Sequence, residues 1–287
     1  MLTILFDGIA YGMLLFVLAV GLAVTMGLMN FINLAHGAFA MTGGYITVLL
    51  MQRLDVPFLV CLPLAFAGTA LLGAVLERTL YRPLYRKPHL DQVLFSIGLV
   101  FMAVAAVDYY VGSTQQIMQL PQWLKGRTEI GSLGMGHYRL FIIAVCAALT
   151  VALQFVLART RFGSRLRASV DDQRVAAGMG INVNLVFLST FAFGSGLAGL
   201  GGALGAEVLG LDPSFPLKFM IYFLIVVAVG GTSSITGPLL AALLLGVADV
   251  AGKYYIPKMG AFIVYSLMIV ILLWKPNGLF VRQGGKA

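Results

Sequence analysis

The chain has 287 residues, of which 60% are apolar and only 10% charged. A soluble domain carries about 25% charged and about 45 to 50% apolar residues, so no aqueous core hides this much apolar surface, and the chain reads as an integral membrane protein. The net charge of +8 does not indicate nucleic acid, because the 19 Lys and Arg residues fall mostly between apolar segments, where the positive-inside rule accounts for them.

A bilayer core of about 30 Å takes roughly 20 helical residues per crossing. Apolar runs cover 5–28, 34–51, 57–77, 91–111, 140–158, 183–209, 217–231, 237–251 and 259–274. About 8–9 transmembrane or broken helices are therefore expected, in a single membrane domain over residues 1–287. The runs are continuous rather than alternating, which excludes a barrel and leaves an all-α fold. The start, MLTILFDGIAYGMLLF, lacks a basic flank and reads as a first membrane helix rather than a cleaved signal.

The first interruption is Gly27-Leu28-Met29-Asn30-Phe31-Ile32-Asn33-Leu34-Ala35-His36-Gly37. Asn30, Asn33 and His36 either cap an interfacial turn or offer donors and acceptors along a substrate path. Positive charge then concentrates in three regions: Arg78, Arg82, Arg86 and Lys87; Arg159, Arg161, Arg165, Arg167 and Arg174; and Lys275, Arg282 and Lys286. All three are expected on the cytoplasmic side, which makes the loop 112–139 and the N-terminus external.

The loop 159–182 is the most informative hydrophilic segment. Ser169 and Asp172 read as a capping box, Asp171 and Asp172 complement a helix N-terminus, and Gly178 or Gly180 ends the helix. Such a helix, with Arg165 and Arg167 before it and Ala176-Ala177 on it, is either a docking element or an ordinary solvated connector. In the next run Gly194, Ala198, Gly202 and Ala206 recur at steps of four, the spacing that lets membrane helices approach closely.

Parity requires the stretch 217–251 to cross twice or to enter and return, since a single crossing would place the basic C-terminus outside. It breaks at Gly230-Gly231-Thr232-Ser233-Ser234-Ile235-Thr236-Gly237-Pro238. Thr232, Ser233, Ser234 and Thr236 line a permeation path or cap the break. Two Gly-interrupted breaks in the two halves point to an internal repeat around a transport site.

The carboxylates nearest the spans, Asp7, Glu77, Asp108, Glu207 and Asp249, fall near helix ends, where interfacial solvation competes with a proton-relay role. Cys61 and Cys146 read as small hydrophobes. His36, His89 and His137 are widely spaced with no metal-ligand rhythm, and there is no P-loop, so the chain is not expected to be an enzyme or to hold a metal or ATP.

Four ordered motifs resemble the inner-membrane permeases of branched-chain amino acid ABC importers, on the LivH-like side of that family. They are Gly27-Leu28 through Asn33-Leu34-Ala35-His36-Gly37; Arg161-Phe162-Gly163 through Arg167-Ala168, Ala176-Ala177 and Gly180-Ile181-Asn182; Gly230-Gly231 through Gly237-Pro238; and Lys275-Pro276-Asn277-Gly278-Leu279-Phe280. The resemblance implies a bacterial inner-membrane subunit paired with a second homologous permease. It also implies two cytoplasmic ATPases holding ATP and Mg, and a periplasmic amino-acid-binding protein. The helix around Asp171 to Met179 then corresponds to the coupling helix, with Arg165, Arg167, Asp171, Asp172, Ala176, Ala177 and Gly180 at the ATPase contact. Arg174 and Val175 separate Asp172 from Ala176-Ala177, a departure from the family's acidic-Ala-Ala pattern. The rival reading is a stand-alone secondary carrier or channel for small polar solutes.

Overall fold

The structure is a computed structural model that describes residues 1–29, 31–130, 133–231, 235–276, 278 and 279. Each of the nine apolar runs is a helix: α1 (Leu2–Met29), α2 (His36–Leu54), α3 (Phe58–Leu76), α4 (His89–Val111), α5 (His137–Arg159), α8 (Val183–Leu209), α9 (Phe215–Gly230), α10 (Thr236–Tyr255) and α11 (Gly260–Trp274). The hydrophilic loop supplies two more, α6 (Arg161–Asp171) and α7 (Gln173–Gly178). Among the described residues, six helical stretches are long and apolar enough to cross a membrane: those of α1, α3, α4, α5, α8 and α10. The chain is an all-α, multi-pass membrane protein.

Two details depart from the sequence reading. The loop after α4 carries a short antiparallel hairpin, β1 (Arg127–Ile130) and β2 (Leu133–Gly136), with Thr128 opposite Met135. Four-residue strands leave too little pattern to stand out beside long apolar runs. The loop 159–182 holds two helices in place of one, and no capping box forms. Ser169 is buried inside α6 and donates to the Arg165 carbonyl at 2.8 Å, which leaves Asp172 alone to cap α7.

Burial follows position in the bundle. α1 is covered on nearly all sides from Ala10 to Thr25, and α8 from Gly194 to Ala206. The outer helices bury one stripe each, such as Gln92, Ser96 and Val100 on α4 and Tyr138, Ile142, Cys146 and Thr150 on α5. Their other faces, with Phe101, Met102, Val151 and Phe155 exposed, suit lipid. The centre closes because side chains are missing there. A Cβ on Gly43 would fall on the backbone of Gly199, and one on Gly202 on the backbone of Ala40. Backbones at such range gain dispersion contact that bulkier residues would prevent.

One end of the bundle gathers the N-terminus, the loop 112–136, the start of α5 and the end of α10. Gly134 N donates to Thr3 Oγ1, Gln52 Nε2 to the Ile117 carbonyl, and Gln116 N to the Leu211 carbonyl. These bonds place residues 3, 52, 116, 134 and 211 at the same end, as the parity argument requires.

Candidate functional site

The α1–α2 break is closed by side chains from distant segments. Ile32 N donates to Gln92 Oε1 and Leu34 N to Ser96 Oγ, both at 3.2 Å. Asn33 is 1% exposed; its Oδ1 accepts from Ala35 N and from the Tyr81 hydroxyl, each at 3.1 Å. Ile32 N, Leu34 N and Ala35 N are thereby satisfied by side chains rather than by water, as irregular chain sealed off from solvent requires. Phe31 sits between Tyr81 and Tyr85, each at 5.4 Å edge to face, and Tyr81 stacks obliquely on Phe191 at 4.7 Å. His36 is buried, with Nε2 donating to the Leu18 carbonyl at 2.9 Å and Phe223 of α9 against its ring at 6.3 Å. Asn30 lies outside the described residues.

The second break opens between Gly230 and Thr236, with residues 232–234, hence Thr232, Ser233 and Ser234, outside the described part. Its flanks are anchored: Gly231 N donates to the Val227 carbonyl at 2.8 Å, and Leu279 N returns from the chain end to the Val229 carbonyl at 2.8 Å. α1 and α10 run antiparallel in close contact, with Gly8 against Val247 and Gly12 against Leu243. Continuing that register by about two helical turns brings the start of α10 level with roughly residue 19 of α1. Leu18, whose carbonyl holds His36, is at the same level. The His36 end of the first break and the start of α10, some 200 residues apart in sequence, thus lie near one level of α1.

The small residues of α8 occupy the junction of three helices. Gly194 lies against Gly21 of α1, Gly199 against Gly43 of α2 and Thr69 of α3, Gly202 against Ala40, and Ser195 against Gly73. Ala198 and Ala206 are buried in the same seam. Its hydroxyls bond locally, Ser195 to the Phe191 carbonyl at 2.9 Å and Thr69 to the Ala65 carbonyl at 2.6 Å, so they add no free polar group.

Four of the five carboxylates nearest the spans are engaged near helix ends, and Glu207 at the end of α8 is exposed. Asp7 pairs with Arg139, Glu77 Oε1 accepts from the Tyr85 hydroxyl at 3.1 Å, Asp108 Oδ1 accepts from Ser113 Oγ at 2.5 Å, and Asp249 Oδ2 lies 2.6 Å from Lys253 Nζ. Between α8 and α9, Asp212 accepts from Ser214 N at 2.8 Å, from the Ser214 hydroxyl, and from Lys218 Nζ at 2.5 Å. Burial raises the Asp212 carboxyl, but the Lys218 and Ser214 bonds outweigh it and hold the group below the usual carboxylate range. Leu211 and Phe215 of this turn are fully buried, so the turn lies beneath the loop 112–121 rather than at the surface.

The end formed by α6 and α7 projects charge and apolar surface together. α6 buries Gly163, Leu166 and Ser169 and turns Arg161, Arg165 and Arg167 outward. Thr160 caps it, accepting from Gly163 N at 3.4 Å. Asp172 Oδ1 accepts from Arg174 N at 2.8 Å and Val175 N at 3.0 Å, which fixes α7 at its N-terminus. Ala176 faces the bundle and is buried, whereas Asp171, Ala177 and Gly180 are exposed, the last at φ +81° where glycine ends a helix without strain. Val175 and Met179 stand 60% and 79% exposed.

The family described as "Branched-chain amino acid transport system / permease component" matches residues 4–272. The chain is 27% identical to the high-affinity branched-chain amino acid transport system permease protein LivH of Salmonella typhimurium, over 97% of this chain and 94% of that protein. It is 29% identical to the corresponding protein BraD of Pseudomonas aeruginosa, over 97% of this chain and 95% of that one. To LivM of Escherichia coli it is 25% identical over 93% of this chain and 68% of the longer relative. No solved structure matches. Nearly the whole length, breaks and small-residue seam included, falls within one match, and the chain belongs to the branched-chain amino acid transport permease family, on its LivH-like side.

Proposed function

We propose that the chain is the transmembrane permease subunit of an ATP-binding-cassette importer that translocates branched-chain or other neutral hydrophobic amino acids by alternating access. It sits in a bacterial inner membrane, N-terminus outside and basic C-terminus inside, and pairs with a second homologous permease. Two cytoplasmic ATPases bind ATP and Mg and hydrolyse the nucleotide; this chain binds no cofactor. A periplasmic amino-acid-binding protein delivers the substrate.

The observation that carries the reading is the α6–α7 end. A six-residue helix that exposes Val175 and Met179 just after a run of arginines gains little by folding alone, and such an exposed apolar pair suits a partner's groove. Arg165, Arg167, Asp171, Asp172, Ala176, Ala177 and Gly180 form the ATPase contact: Asp172 sets the angle of α7, Ala176 seats it on the bundle, and the exposed residues meet the partner.

The substrate path runs past the level shared by His36 and the start of α10, with Asn30, Asn33, His36, Thr232, Ser233 and Ser234 offering polar groups to the amino-acid backbone. Asn33 and His36 are engaged with Tyr81 and Leu18 in this conformation, so they act as a closure that must exchange partners when the path opens. Slippage along the α8 seam is the motion that small residues permit at least steric cost.

Reconstituted with both permeases, the ATPases and the binding protein in liposomes, the complex should take up labelled leucine only with ATP, competed by isoleucine and valine. Leucine uptake by this chain alone would overturn the reading in favour of a secondary carrier or channel.

A further inference from the structure

At the bundle end that carries residue 1, a cavity of about 310 Å³ opens between α1, α5, α8, α9 and α10. Four charged side chains line it: Asp7, Arg139, Asp249 and Lys253. Asp7 pairs with Arg139, and Lys253 Nζ lies 2.6 Å from Asp249 Oδ2 and 5.5 Å over the Tyr11 ring. Asp7, Arg139 and Lys253 stand within two turns of helix ends, where interfacial water reaches them. Asp249 lies about 6 Å deeper along α10. It is 1% exposed, and its Oδ1 has no hydrogen-bond partner. A buried carboxylate oxygen without a donor is unstable in isolation, so the cavity is short of one donor at that atom.

We propose that this cavity binds a zwitterionic amino acid with an aliphatic side chain. The ammonium group donates to Asp249 Oδ1. The carboxylate accepts from Arg139, whose five N–H groups are only partly used by Asp7, and from Lys253. Leu14, Ile142, Phe219 and Val250 form the apolar wall for the side chain. The four cavity charges sum to zero, so a net-neutral ligand preserves the balance, whereas a net anion or cation leaves one buried charge uncompensated. The volume is near the lower limit of small-molecule sites, about 300 Å³, which suits one amino acid rather than a peptide. The site deepens the import reading and rests on it, as a first stop for substrate on the permease.

The test uses the full chain in lipid nanodiscs without ATPases, with L-[³H]leucine as probe. Saturable binding is expected, competed by isoleucine and valine but not by leucine amide, 4-methylpentanoate or glutamate. Asp249→Asn and Arg139→Gln should each weaken binding about tenfold or more, and Met102→Ala, on the lipid-facing side of α4, should leave it unchanged. If Asp249→Asn fails to accumulate, Val250→Trp, which fills the cavity without touching a charge, should abolish binding. Wild-type affinity in Arg139→Gln and Val250→Trp, or no wild-type binding up to about 10 mM leucine, overturns the proposal and leaves the cavity as a seat for two ion pairs only. ATP plays no part in this measurement, so a failure of ATP-dependent uptake and a failure of this site register separately.

Discussion

Gly43 and Gly199 show how much rests on absent side chains. Gly43→Val would push a branched side chain into the Gly199 backbone and should lower stability by about 1 to 3 kcal/mol or more. Gly98 on the lipid-facing side of α4 meets nothing within 4 Å, so Gly98→Ala should be neutral or slightly stabilising. Thermal unfolding of the two variants in detergent micelles separates the cases. Asp212 gives a pH-dependent counterpart. Its folded carboxyl lies below the ordinary value of about 3.9, so its contribution is complete above that value and is lost as pH falls through the lower folded one. Asp212→Asn should cost about 1 kcal/mol at neutral pH, modest because Lys218 is half exposed. The difference should shrink as melts are carried progressively below the ordinary carboxylate value.

At the scale of elements, α7 should dock or fail as a unit. Val175→Glu with Met179→Glu places charge on its exposed apolar pair and should reduce co-purification of the ATPases about tenfold or more, while insertion and melting stay unchanged. Ala176→Pro removes the N–H that donates to the Asp172 carbonyl at 2.9 Å and should have the same effect by unwinding the helix. Retained ATPases in both variants would remove α7 from the coupling role. Helix positions were legible in advance because a continuous apolar run has one solution in lipid. The Ser169–Asp172 capping box was not, because a serine at the right spacing bonds back to the Arg165 carbonyl once α6 continues past it.

At the scale of the whole molecule, the exposed end of the loop 112–136 is the surface that faces a delivering partner under the import reading. Lys125 and Arg127 are exposed there, and Arg127 makes only a loose pair with Glu129 at 3.8 Å. Lys125→Glu with Arg127→Glu should leave folding intact and weaken binding-protein stimulation of uptake several-fold, most at low salt where screening is least. Unchanged stimulation across salt concentrations would exclude this surface. At the same end Arg139 pairs with Asp7, and Leu211 and Phe215 of the turn 210–216 are buried.

Composition and the placement of a charged minority were enough to determine a multi-pass helical protein, its nine apolar helices and both breaks between them. Each of these depends on a local balance of apolar run, helix breaker and basic flank. What only the tertiary structure decided are pairings between residues far apart in the chain. Tyr81 meets Asn33 across 48 positions, and α10 meets α1 so that its start lies near the level of His36. Asp249 keeps one buried oxygen without a donor beside a cavity lined by Arg139 and Asp7. In a bilayer the backbone's polar atoms must find their partners inside the protein, and which partner that is depends on how the helices are arranged, not on the order in which they are written.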